Sequence, residues 1–372
     1  MKSIWPLSTQ RFALLLGLLS LVPLFAARGQ QPAAAESPKT AEQEYKNLQV
    51  LKGIPADQLI PTMQFVSASL GVDCNFCHVE HQMDKDDKKE KQTARKMMAM
   101  ERAIDKGHFD GALEVTCYTC HRGTPHPVAT PVLNPEAPPA KPHEHAEASR
   151  EETKLPRADQ VLSRYLAAVG GAEAVLKIKT RVQKGTLQVM GAEYPIEIYS
   201  EAPEKRVSIS HLPGGASVTA FNGETGWLSI PGGFHRMTAT EQEAARIDAE
   251  LHFPARLPEL YPDLQVSLGE EVAGHPTFLV SARAAGKPSL DLYFDRDRGL
   301  LLRLVRYADT PLGRNPTEID YGDYHVTDGV NLPYQWTLTR PTGSFTIRAE
   351  LVQQNVPIDE ELFVSPPDAE RH

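Results

Sequence analysis

The chain has 372 residues, 41% of them hydrophobic and 23% charged, with 30 prolines and a formal net charge of −9. That length favours two domains over one, and the apolar fraction is ordinary for a protein with a packed core. There is no basic patch to meet a phosphate backbone, so nucleic-acid binding is excluded.

The N-terminus reads as a targeting segment. Lys2 and Arg11 give a positive start, and residues 12–27 are an apolar run too short for a confident membrane span. Ala27-Arg28-Gly29 is the expected cleavage site, with Ala33-Ala34-Ala35 second, so residues 1–29 are predicted to be a signal peptide. No cysteine lies there to carry a lipid anchor. An uncleaved anchor is the competing reading.

Helices are expected over 41–50, with Tyr45, Leu48 and Leu51 on one face, and over 58–70, with an apolar stripe of Ile60, Met63, Val66 and Leu70. A third is expected over 92–105, where Met97, Met100 and Ile104 form the stripe and Met98 is offset. The charged run 84–91 between them reads as a solvated loop or helix start, or as a docking patch for a redox partner.

Two pentapeptides punctuate this helical region, Cys74-Asn75-Phe76-Cys77-His78 and Cys117-Tyr118-Thr119-Cys120-His121. Both are C-x-x-C-H, the attachment signature of a c-type haem. Two thiols at i and i+3 form thioethers to the porphyrin, and the histidine at i+4 on the same helical face supplies the proximal nitrogen to iron. The two motifs use all 4 cysteines in the chain, which leaves none for a disulfide or a zinc site. Two covalently bound haem c groups are therefore expected. Met63 is placed to fold back over the first haem as sixth ligand, or is simply a core residue of its stripe. A methionine of the third helix is the candidate for the second haem. His81 and His108 compete as axial ligands, and they would lower the potential.

The resemblance rests on longer stretches. Residues 47–55, residues 63–78, Ala94-Arg95-Lys96-Met97-Met98-Ala99-Met100 and residues 115–123 resemble the cytochrome subunit of photosynthetic reaction centres. The similarity covers roughly residues 42–130. It implies haem units built as a helix, a turn and a C-x-x-C-H helix, with a methionine of the first helix as sixth ligand. Carried over, Met63 pairs with His78 and Met97 with His121, with Met100 as the alternative. The family subunit carries more haems than the two motifs here, and His108 is not inherited as a ligand. The resemblance implies electron transfer and, more weakly, photosynthesis.

After Gly123 the chain becomes rich in proline, alanine and glutamate, and 131–156 is read as a solvated linker. His143-Glu144-His145 within it could bind a metal or be plain solvated residues. Beyond it, 157–372 opens with helices over 158–169 and 172–178. About twelve strands follow, at 181–190, 193–200, 206–211, 218–221, 225–230, 264–268, 277–283, 290–294, 300–307, 317–326, 332–339 and 344–353, with a helix at 240–251. Asn222-Gly223 marks a hairpin turn. This part weakly resembles the LolA-like lipoprotein-carrier half-barrels, through Gly170-Gly171, the Asn222–Trp227 turn and the Tyr293–Gly299 hairpin. Its concave face would hold an apolar ligand, such as an acyl chain or quinone tail, or be a packed scaffold. Asp295 and Asp297 are read as turn residues, and no catalytic constellation is present.

The expected fold is α+β in two domains: a small all-α dihaem module over 42–130, then a curved antiparallel half-barrel with N-terminal helices over 157–372. The expected function is periplasmic one-electron transfer with redox partner proteins in the periplasm or at the membrane surface. The cofactor-binding residues are Cys74, Cys77, His78, Cys117, Cys120, His121, Met63 and Met97. The alternatives are a dihaem peroxidase-like enzyme and a lipid- or quinone-binding carrier bearing a haem module.

Overall fold

The computed structural model describes residues 39–127, 155–341 and 343–366. The predicted signal peptide over 1–29, the linker up to residue 154 and the His143-Glu144-His145 motif lie outside the described residues. Among the described residues no helix is long and apolar enough to cross a membrane.

The first expected helix is one turn, α1 (Ala41–Glu44), rather than ten residues. Asn47 takes a left-handed φ of 57°, and its amide donates to the Asp84 carbonyl, which turns the chain away. A 3-10 turn at Ala56–Gln58 leads into α2 (Leu59–Leu70), which ends at left-handed Gly71. The buried face of α2 is Leu59, Thr62, Phe65, Val66 and Ser69. The expected stripe was therefore rotated: Ile60 is 51% exposed and Met63 sits at the edge. Gly71 is required where it stands, because a Cβ would lie 2.2 Å from the Gly123 carbonyl oxygen.

The first C-x-x-C forms the single turn α3 (Cys74–Cys77), and the second forms α5 (Cys117–His121). Between them α4 (Lys89–His108) is longer than predicted. Its inward residues are Lys91, Met98, Glu101 and Asp105, spaced by seven, three and four. Met98, expected to be offset, is the buried methionine, while Met97 and Met100 face outward. Three charged residues on the inward stripe are why apolar periodicity misread the helix.

The second part begins with α6 (Ala158–Ala168) and α7 (Gly171–Leu176). Among the described residues, 13 strands form one sheet in the order β6-β5-β4-β3-β2-β1-β13-β12-β11-β10-β9-β8-β7. One wing is a meander from β1 (Thr180–Val189) through β2 (Ala192–Glu201), β3 (Lys205–Leu212), β4 (Gly215–Phe221) and β5 (Gly226–Ile230) to β6 (Gly233–Arg236). Helices α8 (Ala239–Ala249) and α9 (Phe253–Leu260) then carry the chain to the opposite edge. The return meander runs β7 (Asp263–Leu268), β8 (Thr277–Arg283), β9 (Ser289–Asp295), β10 (Leu301–Thr310), β11 (Gly313–Thr327), β12 (Val330–Arg340) and β13 (Gly343–Gln354), which pairs with β1. Every pairing is antiparallel, as the short turns and period-two patterning predict. The sequence missed β6 and α9. β6 has only four residues, and α9 carries Pro258 inside it.

The main core lies where α6 and α9 cover one face of the sheet. Val161, Leu162, Tyr165 and Leu257 pack on Val280, Leu290, Leu292 and Leu304, and Tyr165 tilts onto Phe294 with ring centroids 5.1 Å apart. The other face is closed locally by Phe363 over Val207, Ala220 and Trp227. Asp295 is fully enclosed in its hairpin, where it accepts from the amides of Asp297 and Arg298, the structural role expected of it.

The helical module docks on this sheet. Strands β10 and β11 run on past their predicted ends to a hairpin tip, and Leu312 at that tip is completely buried in the cluster of Leu59, Phe65, Val66 and Met98. Gly313 has a φ of 148°, and a Cβ there would lie 2.3 Å from the Phe65 ring. No apolar period announces this contact, because Leu312 is the one residue of the hairpin in the buried cluster, beside Gly313 and the Asn315–Gln64 hydrogen bond.

Candidate haem-attachment sites

Each C-x-x-C-H turn is built by local capping. Asp73 precedes α3 and accepts from the Phe76 amide at 3.2 Å. Thr116 caps α5, with Thr119 Oγ1 accepting from the Thr116 amide at 3.0 Å. All of Cys74, Cys77, Cys117 and Cys120 are free thiols, so no disulfide competes for them.

The two histidines share one arrangement. His78 Nδ1 bonds the Met83 carbonyl at 2.9 Å, and His121 Nδ1 bonds the Thr124 carbonyl at 3.0 Å. A carbonyl oxygen only accepts, so each Nδ1 carries the proton, and in the neutral ring it is Nε2 that offers the lone pair. Among the described residues neither Nε2 has a hydrogen-bond partner. This is the tautomer and orientation that an iron ligand needs.

The first histidine's anchor is itself held. Lys91, buried on α4, donates to the Met83 carbonyl at 2.8 Å and the Lys85 carbonyl at 2.7 Å, and pairs with Asp86 at 3.1 Å. Asp86 also takes Arg95 at 2.9 Å. Hydrogen bonds from Arg95 first, then Asn47, hold the Asp86 carboxyl well below the usual range. The run 84–91, expected to be solvated, is thus tied down at Asp86 and Lys91.

The second site is backed by acids. Glu101 is buried with both carboxyl oxygens unpartnered, and burial, helped by nearby Asp105, raises it to about 7. Asp105 accepts from the Val115 amide at 3.0 Å and leaves Oδ2 unpaired. The Cys117 thiol is pushed up to about 11, chiefly by burial and then by Glu101. Burial also raises Cys77, with Glu90 adding to it. Sequence reading missed Lys91, Glu101 and Asp105. Their spacing on one helical face was the available signal.

Of the axial candidates, Met63 lies half-buried on α2 beside the cluster that also borders Cys117. Met97 and Met100 are 38% and 49% exposed on the outer face of α4. His81 and His108 are both exposed, His81 on a surface turn and His108 at the last residue of α4. The apolar side chains Ile60, Phe76, Met97, Met100 and Tyr118 are exposed in this module, Phe76 and Tyr118 within the motifs themselves. Paired free thiols, an imidazole with an available Nε2 and uncovered apolar surface fit a covalently held haem at each motif.

Comparison with known proteins adds an independent line. Residues 24–184 match the family described as photosynthetic reaction centre cytochrome C subunit. Over 109 residues the chain is 38% identical to the photosynthetic reaction center cytochrome c subunit of Thermochromatium tepidum, covering 28% of this chain and 27% of that protein. Over 116 residues it is 33% identical to the same subunit of Rubrivivax gelatinosus, covering 30% and 31%. The chain thus spans less than a third of the length of these relatives. Among solved structures, a LolA superfamily protein from Nitrosomonas europaea overlays 56% of this chain and 98% of its own with a TM-score of 0.38 and 12% identity.

Proposed function

We propose that this chain, akin over residues 24–184 to the reaction centre cytochrome c subunits, is an exported dihaem c-type cytochrome that passes single electrons between proteins. The observation that carries the reading is the matched pair of histidines, each with Nδ1 fixed on a carbonyl and Nε2 free. Cys74 and Cys77 would anchor one haem, and Cys117 and Cys120 the other. The bound iron supplies one-electron redox chemistry.

The protein's part is to bind and to hold. His78 and His121 offer the proximal nitrogens, and their carbonyl partners keep the rings from turning. Met63 and Met97, with Met100 as alternative to Met97, offer thioethers for the sixth positions. Thioether ligation raises a potential relative to a second imidazole, and a filled sixth position excludes exogenous ligands, which suits a carrier. A signal peptide over 1–29 would deliver the chain to the periplasm. There a module over 42–130, joined by the 131–156 linker to the 157–372 domain, would meet redox proteins at the membrane surface. Electron donation to a photosynthetic reaction centre is the partner reading drawn from the relatives.

The test is a redox-titrated absorption spectrum of the mature, haem-loaded protein. Two low-spin c haems with a methionine–iron charge-transfer band are expected. A high-spin component that binds peroxide or small anions would overturn the carrier reading in favour of a peroxidase-like enzyme.

A further inference from the structure

The sheet domain holds an unexplained concentration of arginine on its helix-covered face. Directly paired residues on neighbouring antiparallel strands point to the same side. Arg181 on β1 pairs with Ser200 on β2, which pairs with Arg206 on β3. Arg306 on β10 pairs with Thr317 on β11, and the same register extended by one residue sets Thr317 opposite Arg340 on β12. Arg306 also pairs with Leu290, and Leu290 with Ala282, both in the main core, which identifies the inner face. Each arginine pair therefore spans two strand spacings on that face, about 10 Å. Arg206 lies within electrostatic reach of both Arg181 and Arg306, so the curved sheet brings its two wings together.

The charges do not cancel. Asp248 on α8 is the acid facing this group, and it is ion-paired with Arg306. Its field also reaches Arg206 and Arg340. Glu241 reaches Arg340 but is committed to His235 at 2.7 Å and the Thr238 amide at 2.8 Å. Glu204 and Glu243 are both taken by Arg246. Among the described residues, Arg181, Arg206 and Arg340 have neither a side-chain hydrogen bond nor an ion pair, and Arg181 Nε is buried without a partner. Burial lowers Arg181 to about 10 and lowers Arg206 and Arg340 as well, yet Arg181 and Arg206 keep some accessible surface and Arg340 is exposed. Arg181 and Arg206 are thus half-buried on the inner face yet still reached by solvent. Unpaired half-buried charge is costly, and two such charges, Arg181 and Arg206, on one face call for an external counter-charge.

The neighbouring surface narrows the chemistry. On the same face of β3, Ser208 and Ser210 follow Arg206 at alternate positions, and they pair with Thr219 and Ser217 of β4. Among the described residues none of these four hydroxyls has a side-chain hydrogen-bond partner. Guanidinium forks flanked by free hydroxyl donors match a tetrahedral oxyanion better than an apolar chain.

We propose that the inner face of the sheet is an oxyanion site, in which Arg181 and Arg206 grip the phosphate group of a ligand and the β3–β4 hydroxyls receive its remaining oxygens. The phosphate could be free or the headgroup of a lipid. The site does not depend on the haem chemistry, so the two readings fail separately.

The test uses the full-length, haem-loaded protein. Binding of inorganic phosphate is measured by calorimetry, and binding to phosphatidylglycerol vesicles by co-sedimentation against phosphatidylcholine vesicles. The protein's net charge of −9 opposes non-specific attraction to anionic vesicles. Binding of phosphate or of the anionic vesicles, weakened at least about tenfold in Arg206→Gln, supports the site. Phosphate alone identifies a free anion, and vesicles alone a lipid headgroup. Ligand-free Arg206→Gln is expected to melt no lower than the parent, because it loses a charge without a partner. Failure of both ligands to bind, binding that Arg206→Gln leaves unchanged, or a lowered ligand-free Tm would each overturn the proposal.

Discussion

The two C-x-x-C-H turns share a spacing and a histidine anchor but sit in opposite electrostatic settings. Around the first, Lys91 is buried against the carbonyl that holds His78, and Lys88 donates to the Asn75 carbonyl inside the motif. Around the second, Glu101 and Asp105 are buried behind Cys117, and among the described residues neither forms an ion pair. A cation near an iron favours its reduced form, and a buried carboxylate favours the oxidised form. The same five-residue signature can therefore hold two haems of unequal potential. The first is expected to be the higher, and electrons would flow toward it.

The largest test removes the thioethers. Met63→Ala should lower one potential and Met97→Ala the other, each on the order of 0.1 V or more, since axial ligation spans about 0.8 V across haem proteins. Potentiometric titration of both variants also assigns which midpoint belongs to which site. If Met97→Ala changes nothing and Met100→Ala does, the second ligand moves by one turn along α4.

How much of this was legible follows from what each residue answers to. The two C-x-x-C-H motifs stood out because their signature is a fixed local spacing, whatever surrounds it. The antiparallel meander was readable because strand alternation and turn residues are local. The inward face of α4 was not, because Lys91, Glu101 and Asp105 occupy positions where an apolar residue is expected. The stripe on α2 failed for a related reason: Thr62 and Ser69 are buried there, and Thr62 pays its hydroxyl's desolvation by donating to the Gln58 carbonyl. Leu312 was invisible because its burial depends on a module more than 200 residues away in the chain, and no local period encodes that.

That contact gives the second test. Leu312 is fully enclosed beside Phe65 of α2, the helix that carries Met63. Leu312→Ala should cost about 2–5 kcal/mol of stability, as a buried large-to-small change does. It should also broaden or lower the first haem's midpoint while leaving the second in place. Thermal melts and redox titration of the same sample check both parts. Equal shifts at the two haems would mean that α2 positions the whole module rather than one ligand.

Lys91→Met probes the electrostatic contrast directly. It removes a buried positive charge and a donor that competes with His78 for the Met83 carbonyl. The His78 hydrogen bond should strengthen and the first potential should fall by on the order of tens of millivolts, with no change at the second. A rise, or a change shared by both haems, would remove the charge explanation for their difference.

The smallest effect concerns how the first site is braced. Asp86 is held below the usual carboxylate range by Arg95 and Asn47, with Lys91 as a further partner. A carboxylate with a depressed folded-state pKa contributes stability above its unfolded value, near 4, and loses that contribution as pH falls through this range and below. Asp86→Asn should therefore lower the Tm at pH 7, and the gap from the parent should close as the pH drops below about 4. Melts of both proteins at neutral and acid pH measure this. A gap that persists in acid would mean that the side chain's shape, rather than its charge, braces the loop that orients His78.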